Sequence, residues 1–161
     1  MSRAARTPMD IALDLLARRG YSAKEMTQRL RKAGMAPELA DEVTGECTRL
    51  GLINDEMYAR DYAEVLANRG LGGRRIRQEL SRRGVAEFAG DAVEELSESE
   101  TDRALLAARG KMRLIPPADP PLKKRQKLYR FLSSRGFSPD VIFQTVDAVL
   151  HEVDEEEENS F

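Results

Sequence analysis

"NRGLGGRRIRQELSRRGVAEFAGDAV", Asn68 to Val93, has a diverged copy fifty residues upstream, "RRGYSAKEMTQRLRKAGMAPELADEV", Arg18 to Val43. Laid one over the other without a gap, Gly20 falls on Gly70, Met26 on Ile76, Leu30 on Leu80, Gly34 on Gly84 and Val43 on Val93. Upstream, Leu15 and Leu16 fall on Val65 and Leu66. At a further offset of 52, "KLYRFLSSRGFSPDVIFQTV" puts Leu128, Leu132 and Gly136 on Ile76, Leu80 and Gly84. Self-similarity at a near-constant spacing marks a repeat architecture. The fold therefore follows from what one copy becomes.

Each copy reads as three short helices. In the first, a helix over about Met9 to Arg19 turns Ile11, Ala12, Leu15 and Leu16 to one side, and Gly20 stops it. Ser22 is placed to cap the second helix, with Glu25 completing a capping box. Met26, Leu30 and Ala33 face inward, and Gly34 ends the helix in the left-handed conformation. Pro37 opens the third helix, where its missing N–H costs nothing, and Leu39, Val43, Cys47 and Leu50 form its apolar stripe before Gly51. In the second copy Asn54 caps a helix presenting Met57, Tyr58, Tyr62, Val65 and Leu66. Ile76 and Leu80 mark the inner side of the next helix, and Phe88, Ala89, Val93 and Leu96 that of the last. The third copy departs from the plan. "TDRALLAARGKM" is followed by "IPPADPP", Ile115 to Pro121, whose four prolines cannot continue a helix. A loop is expected there, before a helix and then a last one starting at Ser138 and Pro139.

A unit of about 45 residues buries little surface alone, so each should lean on the next. The expected fold class is all-α, three tandem three-helix repeats forming an elongated, curved array. Its divisions are a flexible N-terminus over 1–8, repeats over 9–53, 54–98 and 99–151 with the proline-rich insertion at 115–121, and an acidic, disordered tail over 152–161. That tail, "EVDEEEENSF", has no apolar period.

Composition bounds the function. The chain has 161 residues, 41% hydrophobic and 34% charged, with no Trp. No apolar run reaches the ~18 residues that span a bilayer, and "MSRAARTPMD" lacks an apolar signal core, so a cytoplasmic protein without a membrane partner is expected. The single Cys47 forms no internal disulfide and reads as a buried small hydrophobe. The formal net charge of −2 hides segregation. Residues 69–84 carry six Arg against Glu79, residues 103–135 carry ten Lys and Arg against Asp119, and residues 137–161 carry eight Asp and Glu with no Lys or Arg.

At 100° per residue the arginines of the second copy wrap the exposed arc of their helix. Arg74 and Arg82 lie opposite the buried side, Arg75 and Arg77 on its flanks, and Arg83 near the buried edge. Only Glu79 stands within one turn to neutralise them. Lys123, Lys124, Arg125, Lys127 and Arg130 repeat the theme in the third copy. A polyanion or an acidic protein surface is the expected partner. The acidic tail, shielding the basic surface from within, is the competing reading.

Chemistry of the catalytic kind is not indicated. "RGLGGRRI" lacks the Lys and Ser/Thr of a phosphate loop, and His151 has no second His or Cys nearby to share a metal. "INDEMYARD" lacks the glycine-centred spacing of a calcium loop, so Asn54 and Asp55 read as helix-start signals. The reading is a non-enzyme with no catalytic residue, metal or cofactor.

Three pieces of sequence resemble one family. "LINDEMYAR" is similar to the entry into the second repeat of the RecX proteins, "RRIRQELSRRGV" to their second-repeat helix, and "ALDLLARRGYSAKEMTQRLRKAG" to their opening repeat. The resemblance covers roughly residues 10–150. It implies a regulator, mainly negative, of the recombinase RecA. Such a protein binds RecA, as monomer or as filament on single-stranded DNA, and limits filament growth, ATP hydrolysis, strand exchange and the stimulation of repressor self-cleavage in the SOS response. It implies three three-helix repeats, and basic surfaces facing the filament or its DNA. Carried over, these are Arg74, Arg75, Arg77, Arg82, Arg83, Lys123, Lys124, Arg125, Lys127 and Arg130. Tyr58 and Tyr62 are expected to pack in the core. The proline-rich insertion and the acidic tail have no counterpart in the resemblance. The expected state is a monomer. The alternative class is a helical-repeat protein that binds single- or double-stranded DNA directly through phosphate contacts, without reading sequence.

Overall fold

The computed structural model describes residues 4–161, and among them nine helices and no strand. The first unit contains α1 (Pro8–Leu16), α2 (Ala23–Lys32) and α3 (Pro37–Arg49). The second contains α4 (Asp55–Asn68), α5 (Gly73–Arg82) and α6 (Ala86–Glu94), and the third α7 (Glu100–Met112), α8 (Pro121–Ser134) and α9 (Pro139–Glu158). Local sequence fixes the ends. Thr7 with Asp10 and Ser22 with Glu25 form capping boxes, Asn54 and Ser99 accept from the backbone three residues on, and Pro8, Pro37, Pro121 and Pro139 open their helices.

Each unit has its own core. Met26, Leu30, Val43 and Cys47 fill the first; Leu66, Ile76, Leu80 and Val85 the second; Leu128, Leu132, Phe137, Ile142 and Val146 the third. Close helix–helix packing lies inside the units. The chain exposes 10409 Å², whereas a compact globule of 18.1 kDa exposes about 8,100 Å². The molecule is thus an elongated array of three small cores.

The units are joined through their second helices. At the end of α8, the carbonyls of Arg135 and Gly136 accept from the N–H groups of Gly72 (2.8 Å) and Arg74 (3.2 Å) at the start of α5. At the end of α5, the Arg83 carbonyl accepts from the Ser22 hydroxyl (2.5 Å) at the start of α2. Each joint also draws a carboxylate from the first turn of the following unit: Asp55 accepts from the Ala23 N–H (2.8 Å) and Glu100 from the Gly73 N–H (3.3 Å). So α8, α5 and α2 stack end to end, carbonyl end on amide end. The orphan groups and opposite dipole ends of successive helices satisfy one another.

Several expectations are corrected. α1 starts at Pro8 and stops at Leu16. The flexible segment expected over 1–8 falls partly outside the described residues, and Thr7 and Pro8 already cap and open α1. The acidic tail expected without structure over 152–161 is helical as far as Glu158. Leu39 of α3 and Leu50 at its C-cap are exposed, and Ala40 and Thr44 are buried instead. In α4 the inward stripe is Ala59, Ala63, Leu66 and Ala67, while Met57 (58% exposed) and Val65 lie outside. The reason is spacing: alanines let neighbouring helices approach, and the larger side chains are turned to the flank.

Candidate functional site

The ten cations singled out from sequence do not form one surface. On α5, Arg74 and Arg77 are exposed, and neither has a carboxylate partner among the described residues. Arg75 and Arg82 share Glu79, at 3.6 and 3.1 Å. Arg83 is turned inward. Its guanidinium pairs with Glu25 across the joint, donates to the Tyr58 (3.1 Å) and Tyr62 (2.8 Å) hydroxyls, and lies 4.5 Å from the Tyr62 ring centre. Tyr58 and Tyr62 stack on one another, pack half-buried against the second unit's core, and clamp this arginine with their hydroxyl ends. Burial, with the Glu25 charge adding to it, pushes the Tyr58 hydroxyl up to about 12. Burial also acts to raise the Glu25 carboxyl, but the Ser22 N–H and Arg83 outweigh it and hold that group below its ordinary value.

The third-unit cations are largely compensated. Lys123 and Lys127 share Asp119, whose carboxyl is held below its ordinary value by the Lys127 hydrogen bond first, with Lys123 adding to it against an opposing desolvation. Arg125 pairs with Asp147 at 2.6 Å. Lys124 is buried, at 8% exposure. Arg130 alone of this set is exposed without a carboxylate partner among the described residues.

Three depressions that share lining residues, together a groove along the array, gather several cations beyond those the sequence singles out. Its first stretch lies over the joint of units one and two, a depression of about 700 Å³ lined by Arg19, Leu52, Met57, Tyr62, Val65 and Arg69. Arg69 also lines the next stretch, with Leu106, Lys111, Leu114, Phe131 and Arg135, over the joint of units two and three. Lys111, Leu114 and Phe131 continue into a third stretch that ends at Lys127 and Arg130. Arg135 donates to the Arg69 carbonyl (3.0 Å) and lies 5.0 Å from the Phe131 ring centre, with Lys111 at 5.6 Å. Leu106 and Leu114 are 66% and 78% exposed. Arg69, Lys111, Arg130 and Arg135 have no carboxylate partner among the described residues. The signal was available in part, because Arg135 stands at the repeat position of Arg83. What could not be read was that α7 turns Ala104 and Ala108 inward and so puts Leu106 on the surface.

Besides the acidic Asp61 and Glu98, such a surface combines positive charge without an ion-pair partner among the described residues, exposed leucines and a half-buried aromatic ring. It suits recognition of an acidic or anionic macromolecule rather than chemistry on a small substrate. Among the described residues no cluster of three or more His, Cys, Asp and Glu could hold a metal ion, and no helix is long and apolar enough to cross a membrane. Cys47 is buried, its Sγ 3.7 Å from Met9 Sδ, with burial pushing its thiol up.

Family comparison agrees with the repeat count. The models of the RecX first, second and third three-helix domains match residues 9–47, 54–93 and 98–146. The chain belongs to the RecX family. The regulatory protein RecX of Pseudomonas entomophila is 35% identical over 148 residues, covering 88% of this chain and 93% of that protein. Its counterpart from Chromohalobacter salexigens is 36% identical over 137 residues, covering 85% and 89%. The crystal structure of RecX from Lactobacillus salivarius superposes with a TM-score of 0.75 at 25% identity, over 88% of this chain and 94% of that one. The fold expected from the repeats is thus that of solved RecX structures, and the family is one of regulatory proteins.

Proposed function

We propose that this RecX-family chain regulates the recombinase RecA, binding it alone or as its filament on single-stranded DNA, and that the net effect is to limit filament growth. It does so in the cytoplasm, each copy acting on the filament as a single molecule, without catalytic residues of its own. The observation that supports this reading is the groove. It runs over both joints of an elongated array, so one molecule can touch several subunits of a helical polymer at once. Several weak contacts on one rigid binder add through effective concentration. Lying across neighbouring subunits, the array hinders addition of the next one, and loss of ATP hydrolysis, strand exchange and repressor cleavage follows from the shorter filament. Arg74 and Arg77 on α5 and Arg130 on α8 supply further positive contacts from the set first selected.

Light scattering, or fluorescence of a labelled single strand, follows RecA assembly directly. Stoichiometric amounts of this chain should slow or reverse growth. Assembly that proceeds unchanged contradicts the proposal.

The groove also favours a second reading, direct binding of single-stranded nucleic acid to the cations around Phe131. Such binding falls steeply with salt and shows little sequence preference. A chain that binds bare single strands as tightly as the filament supports that reading instead.

A further inference from the structure

The charge of this chain is split between an acidic end and a cationic groove, with no ion pair joining the two within one molecule among the described residues. Beyond Val153 the side chains are exposed, with Glu156, Glu157 and Phe161 at the edge of a cleft in the third unit, and Asp154, Glu156, Glu157 and Glu158 have no ion-pair partner among the described residues. No basic residue stands in its last turn. Acidic side chains there meet the negative end of the helix dipole, an unfavourable placement that a positive partner relieves. Arg109 pairs with Glu152, at 2.7 and 3.0 Å, just before the acidic end begins. Arg113 and Lys124 line the cleft beneath it without forming an ion pair with it. The tail therefore does not fold back over α5 or into the groove of its own molecule. Meanwhile Arg69, Lys111, Arg130 and Arg135 remain uncompensated in the groove, beside the exposed Leu106 and Leu114.

We infer that the acidic end of α9 of one molecule docks into the groove at the joint of units two and three of a second copy. The glutamates meet the groove cations. Phe161, fully exposed at the tip, and Val153 supply apolar surface for Leu106 and Leu114. Donor and acceptor patches differ, so the contact is heterologous: every molecule keeps one free end and one free groove, and association builds open chains unless the rotation closes a ring. The docking itself needs neither recombinase nor DNA. Its consequence, that self-association withholds the groove from a filament, rests on the proposed function.

Sedimentation velocity over a range of concentrations, at low and high salt, tests the docking. Four proteins are compared: the full chain, a chain ending at Val153, the groove variant K111E/R130E, and the α5 variant R74E/R77E. The full chain should associate at low salt and dissociate at high salt. The truncation and the groove variant should each weaken self-association on the order of tenfold or more. The α5 variant should associate as the full chain does. Mixing the truncated chain with the groove variant should restore a heterodimer, because one keeps the groove and the other the acidic end. A labelled peptide of residues 152–161 should bind the truncated chain and be displaced by salt. A constant monomer mass at low salt overturns the inference. So does association that survives truncation or is lost only in the α5 variant. Capture of a single-stranded oligonucleotide by the groove in a chain that never self-associates also overturns it, and gives the groove to nucleic acid.

Discussion

Of the glycines, Gly72 is the one where an added Cβ would come closest to a neighbouring atom. A Cβ there would lie 2.4 Å from the Phe137 nitrogen and 2.5 Å from the Gly136 carbonyl, and these are backbone atoms that cannot turn aside. G72A should therefore open the joint of units two and three and cost about 1–3 kcal/mol in denaturant unfolding, with a larger radius of gyration by small-angle scattering. Gly90 of α6 is the control: nothing lies within 4 Å, so G90A should stabilise by about 0.5–1 kcal/mol. The other joint depends on the pair of Glu25 and Arg83. The Glu25 carboxyl is held below its ordinary value of 4.5, so its contribution is complete above that value and fades as pH falls through the lower, folded one. Acidification below the ordinary glutamate range should thus loosen units one and two first, seen as a change in Tyr58 and Tyr62 fluorescence. E25Q should remove this pH dependence and cost about 1–3 kcal/mol at neutral pH. The sequence marked Glu25 as a capping residue, and so it is. Nothing local told that it also receives an arginine from 58 residues away.

Helices were legible wherever a cap or a breaker stood at a fixed distance from an apolar pair. Ser22 with Glu25, Pro37, Asn54 and Gly34 or Gly84 each act where they were read. The inward face of α4 was less legible, because its packing rests on the stripe Ala59, Ala63 and Ala67 rather than on its larger side chains. The end of α9 was misread for a related reason. A run of glutamates has no apolar period, yet glutamate is a good helix former and the run continues a helix already anchored by Ile142, Val146 and Val149. This end makes few tertiary contacts, so ending the chain at Val153 should change unfolding stability by less than about 0.5 kcal/mol. Amides beyond Val153 should exchange with solvent far faster than those of Ile142 to Val149.

Three repeats, read from the glycines and from Met26/Ile76/Leu128, were enough to specify an elongated array; the way the repeats join was not. End-to-end stacking of α8, α5 and α2 arises from backbone groups at helix ends, which sequence patterns do not display. The same blindness affected the basic surface. Counting charges picks out residues 69–84 and 103–135, but Arg83, Arg125 and Lys127 are paired with carboxylates of the same chain, while Arg69, Lys111 and Arg135 line the groove without one among the described residues. If the groove is the docking face, K111E/R130E should weaken filament binding more than R74E/R77E, as read by the amount of chain needed to halt assembly. The most direct test compares the affinity of the unaltered chain for RecA alone, for single-stranded DNA alone and for the filament, at two salt concentrations. The account predicts that the filament is bound tightest at both, with a preference that outlasts the loss of phosphate contacts at the higher salt. Equal affinity for bare DNA and filament, falling together with salt, would contradict it.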